Sequence, residues 1–147
     1  MRLHVHEWGD ADAPPLVCLH GVTGHGERFK QLAEDRWAAS FRVIAPDLRG
    51  HGQSGWEPPW TFSTHVADLI ETIDALGIEQ ADWVGHSFGG RLVLELAAAH
   101  PERVRSAVLL DPAIDPSRTS RSPKPSSSSS TRSSSRSRST WTGARRP

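Results

Sequence analysis

The 147-residue chain carries 17 acidic and 17 basic side chains, and this neutral total hides two unlike parts. Residues 1–115 hold every acid against nine of the bases, while residues 116–147 hold the other eight bases and no acid, so net charge names no electrostatic partner. A single cysteine, Cys18, excludes a disulfide framework, and no apolar run forms a signal peptide or approaches the roughly 20 residues of a membrane span, so a soluble, cytoplasmic protein without a membrane partner is expected.

In chain order, RLHVHEW alternates polar and apolar residues and predicts a half-exposed strand. PLVCLHG, FRVIAPD, ADWVGHS and RVRSAVLLD are short, continuous apolar runs ending in turn or polar residues, the form of parallel strands covered on both faces. Between the first two of these, Glu27 to Trp37 reads as a less regular helix. Phe62, Val66, Leu69, Ile70, Ile73 and Leu76 recur at helical spacing, with Ser63 or Thr64 available as cap and Gly77 as stop. A further helix is expected to run from the serine motif below to His100, closed by Pro101. Strands alternating with helices imply right-handed crossovers and a doubly wound, mostly parallel α/β sheet. About 115 residues can bury a real core, with Cys18 among its small apolar members. From Pro116 the chain reads PSRTSRSPKPSSSSSTRSSSRSRSTWTGARRP, which has too little apolar surface to offset its chain entropy. The expected organisation is therefore a domain over 1–115 and a disordered tail over 116–147.

Residues 84–90, VGHSFGG, place Ser87 inside G-x-S-x-G where a strand meets a helix. A sharp strand-to-helix turn lifts a serine oxygen clear of the backbone, and Gly85 and Gly89 leave room for that turn. The helix amino end adds partial positive charge and free N–H groups beside a developing oxyanion. An oxyanion hole needs two such donors. The motif places one on the residue after the nucleophile, Phe88, and one in the loop after the earlier strand, here HGVTG, which makes it Val22. His20, Gly21 and Gly24 build that loop.

Four stretches occur in a telling order: HGVTG, APDLRGHGQS, VGHSFGG and AVLLDPA. Together they resemble the amino-terminal part of an α/β-hydrolase-fold protein, and HGVTGHGERF with GWEPPW is similar to lipase- or esterase-type members. The resemblance implies an α/β-hydrolase sheet, Ser87 as nucleophile, Val22 and Phe88 as oxyanion donors, and hydrolysis of a small ester through an acyl-enzyme. Serine at the elbow argues against epoxide hydrolases and haloalkane dehalogenases, which place an aspartate there. The Asp47–Arg49–Gly50 loop is expected to serve ion pairing and turn formation.

A serine hydroxyl needs a base, usually a histidine held by a carboxylate. The resemblance implies a cap, two more strands, an acid and a late histidine after the sixth-strand-like run ending at Asp111, and the last of the eight histidines is His100. Asp111 is the one candidate acid, against a plain turn role. His86 should project away from Ser87, and His20, His51 and His65 read as structural. The sheet is thus expected to be truncated, with activity weak or absent and an unprotected edge at Val104–Leu110 prone to aggregation or chaperone binding. A frameshift or mispredicted gene end accounts for the tail; the alternatives are a passive solubilising tail or an arginine–serine segment contacting nucleic acid through phosphate attraction. A non-catalytic remnant or binding protein is the alternative to an enzyme. No cofactor is implied, and no metal, because no histidine–acid cluster stands at ligand spacing along the chain.

Overall fold

A computed structural model describes residues 1–114, which form one compact unit. The Ser/Arg-rich tail, and with it the expectation of disorder, lies outside the described residues.

Among the described residues, five strands form one sheet: β1 (Val5–Trp8), β2 (Pro15–Leu19), β3 (Arg42–Pro46), β4 (Ala81–His86) and β5 (Val104–Leu110). Their order is β1-β3-β2-β4-β5, with β1 antiparallel to β3 and every other pairing parallel. Each predicted strand is present. The central ones are continuous apolar runs because both faces are covered. Val17 and Leu19 of β2 point into a core shared with Ile44, Trp83 and the helices α2 (Phe62–Ala75) and α3 (Phe88–Ala99). Leu16 and Cys18 alternate to the opposite face, where Val43 and Val84 pack with Ala33, Phe29 and Trp37. Burial without a polar partner pushes the Cys18 thiol up to about 12, so it packs as a small hydrophobe.

The less regular 27–37 helix is three short pieces: a 3₁₀ turn at Gly26–Phe29, an α turn α1 at Lys30–Leu32 and a π turn at Ala33–Trp37. Helix α2 begins at Phe62, the first residue of the periodic series. Neither Ser63 nor Thr64 caps it; Thr61 does, its hydroxyl accepting the Thr64 N–H at 3.1 Å. Its carboxyl end follows the expected stop. Gly77 takes φ +74°, Gly77 N–H bonds to Asp74 C=O, and Ile78 N–H reaches back to Ile73 C=O, with both isoleucines in the core.

Among the described residues, one outer edge of the sheet is β5, whose residues are largely solvent-exposed; Val108 keeps 52% of its surface and Leu110 47%. No helix among the described residues is long and apolar enough to cross a membrane.

Candidate active site

The strand β4 ends at His86 and α3 begins at Phe88, so the turn between them is the single residue Ser87. Its backbone lies at φ 51°, ψ −111°, a left-handed conformation that costs a non-glycine residue of order 1–3 kcal/mol and persists only where surroundings hold it. Three hydrogen bonds hold it here. The Ser87 N–H donates to Leu110 C=O at 2.9 Å, and its own carbonyl accepts from Arg91 N–H and from Ala113 N–H, both at 3.0 Å. The glycines permit the approach: a Cβ at Gly85 would stand 2.6 Å from Gly89 O, and one at Gly89 would stand 2.3 Å from Leu19 O. The elbow is thus a junction where β2, β4 and α3 meet backbone to backbone.

The HGVTG loop closes beside it. A Cβ at Gly21 would lie 3.4 Å from Ser87 Cβ, and Gly24 N–H bonds to Gly21 C=O at 2.8 Å in a tight turn. His20 and His51 tie this loop to the one after β3. Leu48 N–H donates to His20 Nε2 at 3.1 Å, which leaves the ring proton on Nδ1 to donate to Gly21 C=O at 2.8 Å. His51 Nε2 donates to Val22 C=O at 2.8 Å. Among the described residues, no loop or turn carbonyl takes the N–H of Val22 or Phe88. Those two residues, with His51, His65, Trp56 and Trp60, line a largely apolar cavity of about 360 Å³. Leu110, Ala113 and His51 were not legible as site residues, because each acts through a bond to a carbonyl or N–H far along the chain.

Four histidines stand near the elbow. His20 and His51 bond to loop backbone, and His65 packs edge-on against Phe88 with ring centroids 5.2 Å apart, its buried Nδ1 without a hydrogen-bond partner among the described residues. His86 is exposed and lines a separate cavity with His20, Phe29 and Leu110. None is hydrogen-bonded to the Ser87 hydroxyl among the described residues. Asp111 sits at φ 46° just after β5 and pairs with no histidine there. In the glycine loop, Arg49 makes a paired contact with Asp68 of α2, Nε to Oδ2 at 2.6 Å and the second nitrogen to Oδ1 at 2.8 Å. Asp47 accepts Gly26 N–H at 2.6 Å and Gln53 N–H at 2.8 Å. Both residues have the ion-pair and turn contacts expected of them. The absence of a metal-ligand cluster along the chain does not carry over to the fold: His4, His6 and Asp47 converge at the β1–β3 edge.

These contacts set a pH dependence of stability. Burial pushes the His20 imidazole down to about 4, against the opposing pull of its bond to Gly21 C=O; His51 and His25 push the same way as burial, and Asp47 opposes. Below pH 6.5 the unfolded chain takes up a proton that the folded chain refuses until about pH 4. Stability is therefore fully present above pH 6.5 and falls by up to about 3 kcal/mol on descending to pH 4. Asp68 adds to the loss only below its ordinary 3.8: burial would raise its carboxyl, but Arg49 and the terminal amine hold it lower. Urea midpoints measured from pH 7.5 to 4.5 should fall steadily, and a flat profile contradicts this account.

The model of the alpha/beta hydrolase fold family matches residues 14–135, running past the boundary at 115 that composition suggests. The chain belongs to this family. Lipase LipV of Mycobacterium tuberculosis is 42% identical to this hydrolase-fold chain over 112 residues, covering 76% of the chain and 42% of the lipase. A 3-hydroxybutyrate-oligomer hydrolase of Cupriavidus necator is 36% identical over 126 residues, covering 82% of the chain and 43% of that enzyme. Among solved structures, a marine microorganism esterase superposes with a TM-score of 0.71 at 29% identity, over 74% of the chain and 41% of the esterase. The chain thus spans less than half the length of each of these hydrolase-fold relatives.

Proposed function

We propose that the chain is the nucleophile-bearing part of a serine hydrolase acting on small carboxylic esters, and that it does little catalysis alone. The observation that carries this is the Ser87 elbow, a strained serine pinned by three backbone bonds at the amino end of α3 beside the HGVTG loop. Ser87 Oγ attacks the ester carbonyl as its proton passes to a histidine. The Val22 and Phe88 N–H groups receive the oxyanion, the C–O bond to the alcohol breaks, and the alcohol leaves with that proton. Water then attacks the acyl group on Ser87 and releases the acid. Lipase and esterase relatives support the ester class.

In this reading none of the histidines of residues 1–114 acts as the base, and residues 115–147 contain no histidine. A carboxy-terminal half brings the histidine and its carboxylate, and cytoplasmic residence suits such an enzyme. A fluorophosphonate probe with mass-spectrometric mapping tests the role of Ser87. In a chimera joining this chain to the carboxy-terminal half of a hydrolase-fold esterase, the label should fall on Ser87 and vanish in Ser87→Ala. Labelling elsewhere overturns the assignment.

The same reading predicts poor solution behaviour. Among the described residues, the β5 edge has unpaired strand groups and exposed Val108, Leu110 and Ile114 that could meet another chain. Light scattering on the purified 147-residue chain should show aggregates or co-purifying chaperone. A monodisperse monomer with a sharp cooperative melt contradicts it.

A further inference from the structure

We propose that His4, His6 and Asp47 form a binding site for Zn²⁺ or a similar divalent transition metal, on the sheet edge away from Ser87. The site follows from strand geometry. His4 and His6 lie two apart at the start of the chain, so they share one face of the β1 ribbon. The antiparallel register sets His6 opposite Ala45, and Asp47 N–H bonds to His4 C=O at 2.9 Å, which brings the carboxylate beyond β3 onto that face. The three side chains offer one ligand atom each, all within 4.8 Å of one another.

The donor set and its spacing suit such an ion. Two imidazoles and one carboxylate are ligands for zinc and its borderline neighbours, and three protein ligands leave a fourth tetrahedral position for water. Donors about 2.0–2.1 Å from a tetrahedral ion stand about 3.3 Å from each other. His6 Nε2 and Asp47 Oδ1 are 3.3 Å apart, long for a charge-assisted hydrogen bond and the right span for two ligands of one ion. Asp47 is buried and already oriented by Gly26 N–H and Gln53 N–H, the outer support that ligating carboxylates have. His4 Nε2 faces the Gln53 side-chain amide at 3.1 Å, so its lone pair is directed outward, and the exposed Gln53 can swing aside.

The ion would take the Nε2 lone pair of neutral His6, with the ring proton on Nδ1; a protonated imidazole must first release a proton to solvent, so binding weakens as pH falls. Its effect would be to staple β1 to the loop after β3. No step in the proposed hydrolysis uses it.

Equilibrium dialysis of Zn²⁺ against the full chain at low protein concentration, after chelator treatment, tests the site. The expected result is one tight equivalent at pH 7.5, weakened at least about tenfold in His4→Gln and in His6→Gln and unchanged in His86→Gln and His100→Gln. Zn²⁺ should also raise the urea midpoint of the native sequence and not that of His4→Gln. Since His4 is partly exposed, its variant keeps the test valid if His6→Gln fails to fold. No tight equivalent, or binding that persists in His4→Gln, overturns the proposal.

Discussion

The 147-residue chain is expected to hydrolyse short p-nitrophenyl esters little faster than its own Ser87→Ala variant. Removing the histidine from a serine triad lowers kcat about 10⁶-fold in a well-studied protease, leaving roughly 10³–10⁴ over water from the oxyanion hole and binding. None of the nearby histidines is hydrogen-bonded to the Ser87 hydroxyl among the described residues: both His20 nitrogens and one His51 nitrogen bond to loop backbone, His65 packs against Phe88, and His86 lines a separate cavity. Even the residual catalysis requires Val22 and Phe88 to stay around Ser87. That geometry depends on Leu110 C=O and Ala113 N–H at the end of the exposed edge strand. Joining a carboxy-terminal half that carries an acid and a late histidine should restore turnover that disappears in Ser87→Ala. Initial rates for the three proteins decide it. Strong Ser87-dependent turnover by the 147-residue chain alone would mean that an upstream histidine, or one from a second copy, acts as the base.

Replacing Asp68 by Asn should cost about 3–5 kcal/mol of stability, the usual penalty for stranding one partner of a buried ion pair. Arg49 and Asp68 keep only 8% and 2% of their side-chain surface, and their paired contact is the link between the glycine loop and α2. The Met1 amine also meets Asp68 Oδ1 at 2.6 Å, so the carboxylate serves two cations. Asparagine keeps the shape and one acceptor but removes the charge, leaving the guanidinium buried without its countercharge, with Glu57 C=O accepting from it at 2.6 Å. The double replacement Arg49→Met with Asp68→Leu should recover much of the loss, since no charge then needs burial. Urea unfolding of the two variants measures both effects. An unchanged midpoint in Asp68→Asn would show that the pair is not a structural link.

Much of the architecture was legible in one dimension. Continuous apolar runs such as PLVCL announced strands covered twice, and the spacing from Phe62 to Leu76 announced α2, because burial on a strand or helix repeats at a period that neighbouring residues reveal. Gly85, Ser87 and Gly89 were readable for the same reason: a one-residue turn between strand and helix is a local demand on local residues. The cap of α2 was missed by two positions, since Thr61, Ser63 and Thr64 offer equivalent hydroxyls and only the backbone path selects among them.

What the sequence alone determined is therefore the set of elements and the strained serine between two of them. Tertiary structure decided what surrounds that serine and what else the chain brings together. Leu110 and Ala113 lock the elbow from 23 and 26 residues away, and His51 reaches Val22 across 29. His4 and His6 meet Asp47 only because antiparallel pairing of β1 with β3 folds 41 residues back on themselves. Such contacts follow from sheet order and register, which depend on how all the apolar faces are buried at once. No short window of the chain contains that information.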